Sequence, residues 1–402
     1  MSLPFSHGAA VLAVLLVVEL GLMALAGSKR YSFLFKVLPA VFWIYFLPMV
    51  LSTAGVVDRT AVIYSQLSEQ ILPAALFLLL LAVDLRAIVR LGPWAIGMFL
   101  IGSGGIALGT LTAFAIFRPW VGGQFWSGFA ALSGSWSGGS ANMVAVKEAF
   151  GTPQEIFAPM VIVDTIVSYT WMAVLLSLAR FQRRFDAWNR CDRTVVDHLR
   201  KAQSAPEDTT AQLPIRFLGR IPRWIQYLFI LACLLAAAFA VTQISYAIAA
   251  WIPASKTFSK LAWVIILSSS AGLLFSLARI RALDGISQKW GYVLLYLVLA
   301  AIGAQADLSR IGSAYRLILA GFLMVSIQAG CLFVATRILR VPLGLAVTAS
   351  QANIGGVASA PVVAESFFPG MASVGLLMAI LGNIIGTYVG ILTGTILQFI
   401  NR

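Results

Sequence analysis

Few residues of this chain could do chemistry in an apolar setting, and they recur in a repeated order. Asp164 is a lone carboxylate in the hydrophobic run "APMVIVDTIVSYTW". Upstream of it, "LSGSWSGGSAN" carries Gly138, Gly139, Ser140 and Asn142. Far downstream, "TASQANIGGVASAP" carries Gln351, Asn353, Gly355, Gly356 and Ser359, and "NIIGTY" carries Asn383. A carboxylate at the centre of a membrane helix costs roughly 2.5–3.5 kcal/mol on insertion scales, so Asp164 is expected to face a partner or a hydrated cavity. There it can bind a proton or sodium. Glycine disfavours a helix by about 1 kcal/mol relative to alanine, and serine competes for backbone hydrogen bonds. Both glycine segments are therefore expected to break. A broken helix exposes amides, which suit a carboxylate or phosphate, and carbonyls, which suit a cation.

These properties divide the candidates. Asn142, Asp164 and Asn383 are read as ion-binding. Gly138, Gly139, Ser140, Gln351, Asn353, Gly355, Gly356 and Ser359 are read as solute-binding. Close helix packing through small residues is the competing reading of the same glycines. Pro361 is placed near the start of the second half-helix, since proline suits a first turn. Glu148 and Glu365 match each other and are expected at a solvated interface, with Lys147 snorkelling nearby. Glu19 is read as a contact between helices or protomers, and Asp84 and Asp307 as hinge or cap residues.

The elements that must position these groups follow from composition. The 402 residues are 60% hydrophobic and 11% charged, against about a quarter charged in a soluble domain. Apolar runs of roughly 20 residues, enough to span about 30 Å of hydrocarbon, recur from 8–27 to 371–399, and 126–150 and 343–367 count among them. The fold expected is an all-α polytopic membrane protein of 11–13 transmembrane helices. The first span is read as a retained helix, because the residues before it lack the positive charge of a signal peptide.

The chain also repeats itself. "SGGSANMVAVKEAF" (137–150) echoes "IGGVASAPVVAESF" (354–367), and "VDLRAIVRLGPWAIGMFL" (83–100) echoes "ADLSRIGSAYRLILAGFL" (306–323). "DTIVSY" (164–169) then parallels "NIIGTY" (383–388). Three echoes in one order imply two homologous repeats, 1–179 and 225–402, joined by a basic loop, 180–224, assigned to the cytoplasm. Interrupted hydrophobic segments at matching positions of two halves are the pattern of secondary transporters, whose halves are often inverted. Inversion needs an odd number of crossings between equivalents, and the hydropathy count gives six. One segment must be miscounted, with 226–257 or the second span, which contains Pro39 and Pro48, as the suspects.

The net charge of +13 sits in short clusters at span ends and in the long loop, as the positive-inside bias produces, so nucleic acid is not expected as a partner. Three cysteines and two histidines form no metal or redox pattern. No phosphate loop, zincin motif or nucleophile elbow occurs, so neither enzyme activity nor a cofactor beyond a coupling ion is expected.

The stretches "LPAALFLLLLAVDLRAI", "SGGSANMVAVKEAFG", "SQANIGGVASAPVVAESF" and "LGNIIGTYVG" resemble the YjcL-like integral membrane protein family, a domain of unknown function. A more distant resemblance runs to the cation–proton antiporter and bile acid:sodium symporter superfamily. It implies two inverted repeats whose broken helices cross at their unwound points, with Ser140, Asn142 and Asp164 at ion-site positions and Gln351, Asn353 and Ser359 on the second crossing helix. The adjacent aspartate pair of the antiporters is missing, since Thr165 follows Asp164. The function expected is ion-coupled transport, with Na+ or H+, of a small anionic or zwitterionic organic solute across a bacterial inner membrane. A cation/proton antiporter, and a non-transporting scaffold or channel, are the alternatives; a homodimer is left open.

Overall fold

The computed structural model describes residues 8–28, 30, 31, 35, 40–191, 222–252, 259–278, 281–306 and 314–401. Asp307 and most of the basic loop lie outside the described residues. The described chain is helical: α1 (Gly8–Gly27), α2 (Ala40–Thr53), α3 (Ile63–Leu81), α4 (Leu85–Arg90), α5 (Gly92–Val121), α6 (Trp126–Gly138), α7 (Ser140–Ala149), α8 (Gln154–Ser177), α9 (Gln182–Asn189), α10 (Arg223–Ala249), α11 (Lys260–Ser276), α12 (Arg281–Gln305), α13 (Ala314–Leu339), α14 (Leu343–Ile354), α15 (Gly356–Phe367) and α16 (Ala372–Ile400). Among the described residues, eight helices are long and apolar enough to cross a membrane, and α2 and α11 are shorter apolar helices.

The helices gather into two compact units, neither of which follows a sequence half. One unit holds α1–α3, α10–α12 and residues 148–158. Its helices approach closely where side chains are small: a Cβ on Gly272 would lie 3.2 Å from Phe77 Cα, and one on Gly303 would meet the carbonyl of Tyr45. Proline shapes α3. Pro73 has no N–H for the carbonyl of Glu69, the helix widens into one π turn over Leu67–Ile71, and the Tyr246 hydroxyl donates to that carbonyl at 3.0 Å.

Glu19 lies in this unit with 0% exposure, and neither carboxyl oxygen has a hydrogen-bond partner among the described residues. Full burial within one chain makes it a contact between helices rather than between protomers. A charge there would be uncompensated, which costs about 3–5 kcal/mol. Glu19→Gln should therefore unfold at the wild-type temperature in detergent, whereas Glu19→Lys should fail to accumulate folded protein.

The second unit holds α4–α6, α7 to Lys147, α8 from Pro159, α9 and α13–α16. Here α5 and α13 lie side by side. A Cβ on Gly102 would lie 3.5 Å from Gln328 Nε2, one on Gly105 2.9 Å from Gln328 Cα, and one on Gly109 3.0 Å from Met324 Cα. Numbers rise along α5 as they fall along α13, so the two run antiparallel.

The two glycine segments depart from expectation. Hydropathy counts them as spans, broken but continuing across. Instead each folds back. Twelve residues of straight helix would separate Gly134 from Val146 by about 18 Å, yet a Cβ on Gly134 would lie 2.8 Å from Val146 Cγ2 and 3.2 Å from the Asn142 carbonyl oxygen. In the second segment Gly344 abuts Phe367 and Phe368, and Val347, Val363 and Phe367 share one apolar cluster. Thus α6–α7 is one helical hairpin and α14–α15 another. Neither runs on as a single broken helix; each reverses on its glycines.

Candidate functional site

Each hairpin turns on very little backbone. The serine-rich stretch expected to unwind stays helical as far as Gly138, and the reversal falls on Gly139 with φ 92°. In the second hairpin α14 ends at Ile354, and the turn uses Gly355 and Gly356, the latter with φ 60°. Only glycine takes these left-handed conformations without strain. At each tip the carbonyl end of one arm and the amide end of the other come together. Pro361 sits within α15 rather than at its first turn.

The hairpins enter their unit from opposite ends. At one end, the root of hairpin α6–α7 is close to the end of α16: a Cβ on Gly123 would lie 2.5 Å from Asn401 Oδ1. At that same end Arg118 donates to the carbonyl of Ile400 at 3.3 Å, and Arg316 to that of Trp120 at 3.0 Å. At the other end, the root of hairpin α14–α15 is held by Asp186, which accepts from the Leu343 N–H at 2.9 Å. Asn189 joins this end by donating to the carbonyls of Thr336 at 2.9 Å and Val341 at 3.3 Å.

Both tips reach one turn of α8. Asp164 lies about 15 Å along that helix at 1.5 Å per residue. Ser135, just before the tip of the first hairpin, donates to Asp164 Oδ1 at 3.0 Å. Ser168, one turn further along α8, donates to the Ile354 carbonyl at the second tip at 3.3 Å. Asn383 comes to the first tip from α16: a Cβ on Gly139 would lie 3.6 Å from Asn383 Oδ1. The expected residues Gly138, Gly139, Ser140, Asp164, Gly355, Gly356 and Asn383 are therefore at or beside the tips.

Several other expected ligands hold the scaffold. Asn142 donates to the Gly138 carbonyl at 2.6 Å and accepts from the Thr387 N–H at 3.0 Å and hydroxyl at 2.6 Å, tying hairpin α6–α7 to α16. Asn353 accepts from Ser103 at 2.6 Å and donates to the carbonyls of Ala349 at 2.9 Å and Phe99 at 3.2 Å. Gln351 donates to Ser359 at 2.7 Å, joining the two arms of the second hairpin. With both ends of its amide engaged, Asn142 ties the returning arm to α16. Asn142→Ala would strand Thr387 in a buried position, so we expect about 1–3 kcal/mol of destabilisation, read as a lowered thermal midpoint in detergent.

Some polar atoms around the tips remain unsatisfied. Ser137 Oγ, Gln328 Nε2 and Gln351 Oε1 are buried without a hydrogen-bond partner among the described residues. Such atoms are uncommon in folded proteins and mark places where a ligand or water completes the bonding. Sequence reasoning missed Ser135, Ser168, Gln328 and Thr387. A signal existed for two of them, because Ser168 and Thr387 each follow Asp164 and Asn383 by one helical turn in matched segments. Glu365 is exposed, as expected, but also caps α16 by accepting from the N–H groups of Gly370 at 3.0 Å and Ala372 at 3.2 Å.

Comparison with known proteins covers the same elements. The chain is 26% identical over 365 residues to "Uncharacterized membrane protein YjcL" of Bacillus subtilis (strain 168), a match that covers 86% of each chain. Residues 13–400, both hairpins and the Asp164 helix included, match the family described as "Protein of unknown function (DUF819)". A match of that extent makes the chain a member of the DUF819 family of integral membrane proteins.

Proposed function

We propose that this protein is an ion-coupled secondary active transporter of a small anionic or zwitterionic organic solute. The observation that carries the reading is the meeting of two hairpin tips on the Asp164–Ser168 turn of α8. Irregular backbone at membrane depth persists only where protein or a watery cavity satisfies it. Exposed amides at the starts of α7 and α15 would hold the solute's carboxylate or phosphate. Asp164, with Asn383 across the first tip, would bind the coupling proton or sodium. No group is assigned a catalytic role, and the protein would work in the bacterial inner membrane.

Coupling follows if the ion changes which facing state is favoured, which demands different affinities for the two states. The site-bearing unit contains both hairpin tips, α8 from Pro159 and α16, so these parts would move together. The test starts from stability of the purified protein against short mono- and dicarboxylates and α-amino acids, in sodium and in potassium. Uptake of the stabilising compound into proteoliposomes is then measured under an imposed Na+ or proton gradient. Accumulation above the external concentration, collapsed by an ionophore, is the expected result. Na+/H+ exchange without any solute would replace the reading with an antiporter, and flux indifferent to both gradients would replace it with a channel.

A further inference from the structure

We infer that the second unit carries a binding site for one anionic phospholipid, with an acyl chain laid in a groove between α5 and α13 and the phosphate held by the arginines at its end. None of the groove residues belongs to the hairpin tips.

The groove follows one edge of α13. Ile327, Gly330, Val334 and Ile338 recur along it at helical spacing, with Cys331 beside them and Ile101 of α5 on the far wall, around a volume of about 620 Å³. Its lining is apolar throughout. Gly330 sets the depth, since a Cβ there would meet nothing within 4 Å.

The length of the groove suits a lipid tail. From Ile327 to Leu339 α13 rises about 18 Å at 1.5 Å per residue, close to the half of a roughly 30 Å hydrocarbon layer that belongs to one leaflet. A helix from a partner protein would follow more of α13, which is 26 residues long.

The groove ends at aromatic and cationic groups. Phe333 and Arg337 stand on its rim, each next in sequence to a lining residue, Val334 and Ile338. Trp188 of α9 stacks on Phe333 with ring centroids 6.4 Å apart, and the Arg337 guanidinium lies 4.8 Å from the Trp188 ring. Tryptophan is enriched at headgroup level, so this stack marks the depth at which a phosphate sits. Arg337 donates to Asn189 Oδ1 at 3.2 Å, and a guanidinium has further N–H donors in a fork that matches phosphate oxygens.

Charge completes the case. Arg183, Arg184 and Arg340 are exposed at the same end, and neither they nor Arg337 has a carboxylate partner among the described residues. The carboxylates Asp186 and Glu365 at that end are held instead by backbone N–H groups, of Leu343 for the first and of Gly370 and Ala372 for the second. Basic pockets between membrane helices are headgroup sites, and the positive-inside bias places them at the leaflet rich in anionic lipid. A second copy of the chain is disfavoured by the same arginines. A two-fold axis along the membrane normal would bring Arg337 and Arg340 of both copies to one level, where like charges repel.

Cys331 provides the readout. With Cys191 and Cys233 changed to serine it is the sole thiol. In delipidated protein in dodecyl maltoside, dioleoylphosphatidylglycerol at about ten times its dissociation constant should slow N-ethylmaleimide labelling of Cys331 about tenfold and raise the thermal midpoint. Dioleoylphosphatidylcholine at the same concentration should do neither. Gly330→Leu fills the groove without a clash and should abolish the thermal effect. Arg337→Gln combined with Arg340→Gln should reduce phosphatidylglycerol to the level of phosphatidylcholine. Arg118→Gln, a cation lost at the opposite end of the unit, should leave the preference intact. Arg340→Gln alone, which breaks no side-chain hydrogen bond among the described residues, serves if the double variant does not fold. Equal protection by both lipids, or by neither, overturns the site. Protection that rises with protein concentration in lipid-free detergent, together with a doubled mass, would give the groove to a second copy and overturn it equally.

Discussion

Asp164→Asn should abolish gradient-driven uptake while leaving the protein folded. The substitution keeps the size of the side chain and an oxygen to accept from Ser135, whose hydroxyl lies 3.0 Å from Oδ1. What it removes is the capacity to exchange a proton or neutralise a cation. Asn383, its counterpart in the second repeat, already has the neutral chemistry, so the variant would present two neutral amides at the tips. A loss of at least about tenfold in accumulation corresponds to about 1.4 kcal/mol of coupling free energy, and complete uncoupling would exceed that. A merely structural role for Asp164 predicts something else: a lowered unfolding temperature with the gradient dependence of the residual uptake unchanged. Measuring both quantities on one preparation separates the two. Asp164→Glu, which restores the charge at a displaced position, should recover coupling in part; equal loss in Asn and Glu variants would point to geometry rather than charge.

The membrane class, the helical content and the identity of both glycine segments are legible in the sequence, because hydropathy and break-forming residues are local properties. What those segments do after breaking is not. A glycine pair specifies that a helix is interrupted, but whether the next helix continues or reverses depends on what packs against it. Here Gly382, Gly386 and Gly390 of α16 provide a flat stripe against Gly138 and Gly134, and Asn142 locks the returning arm to Thr387. These are long-range pairings that a single sequence does not display. The miscount in the hydropathy reading has the same origin: suspicion falls naturally on short or proline-bearing spans, whereas the glycine segments themselves are the ones that fold back. Asp164 is legible because a lone carboxylate in an apolar run has few structural excuses. Asn142, Gln351, Asn353 and Ser359 have the same donor chemistry whether they bind a ligand or tie two helices, so only their partners distinguish the roles.

Gly138→Ala should be among the most damaging single-methyl additions available in this unit. A Cβ at that position would fall on the carbonyl oxygen of Gly382 and on Asn142 Nδ2, and would lie 2.8 Å from Gly386 Cα. Two of the three obstacles are backbone of α16, so no rotamer change relieves them. The third is the amide that ties the hairpin down. Overpacking a closed site costs typically about 1–3 kcal/mol, and with backbone on the receiving side the upper part of that range is expected. Either α16 moves away from the hairpin, loosening Asn142 from Thr387, or the tip itself shifts relative to Asp164. Uptake should fall along with the thermal midpoint. Gly97→Ala in α5 provides the contrast, since a Cβ there would meet nothing within 4 Å and alanine is the better helix former by about 1 kcal/mol; it should match or exceed the wild type. If Gly138→Ala proves as stable as Gly97→Ala, the close seat of the first hairpin on α16 is wrong. The reversal at Gly139 would then have to be held by something other than the glycine stripe.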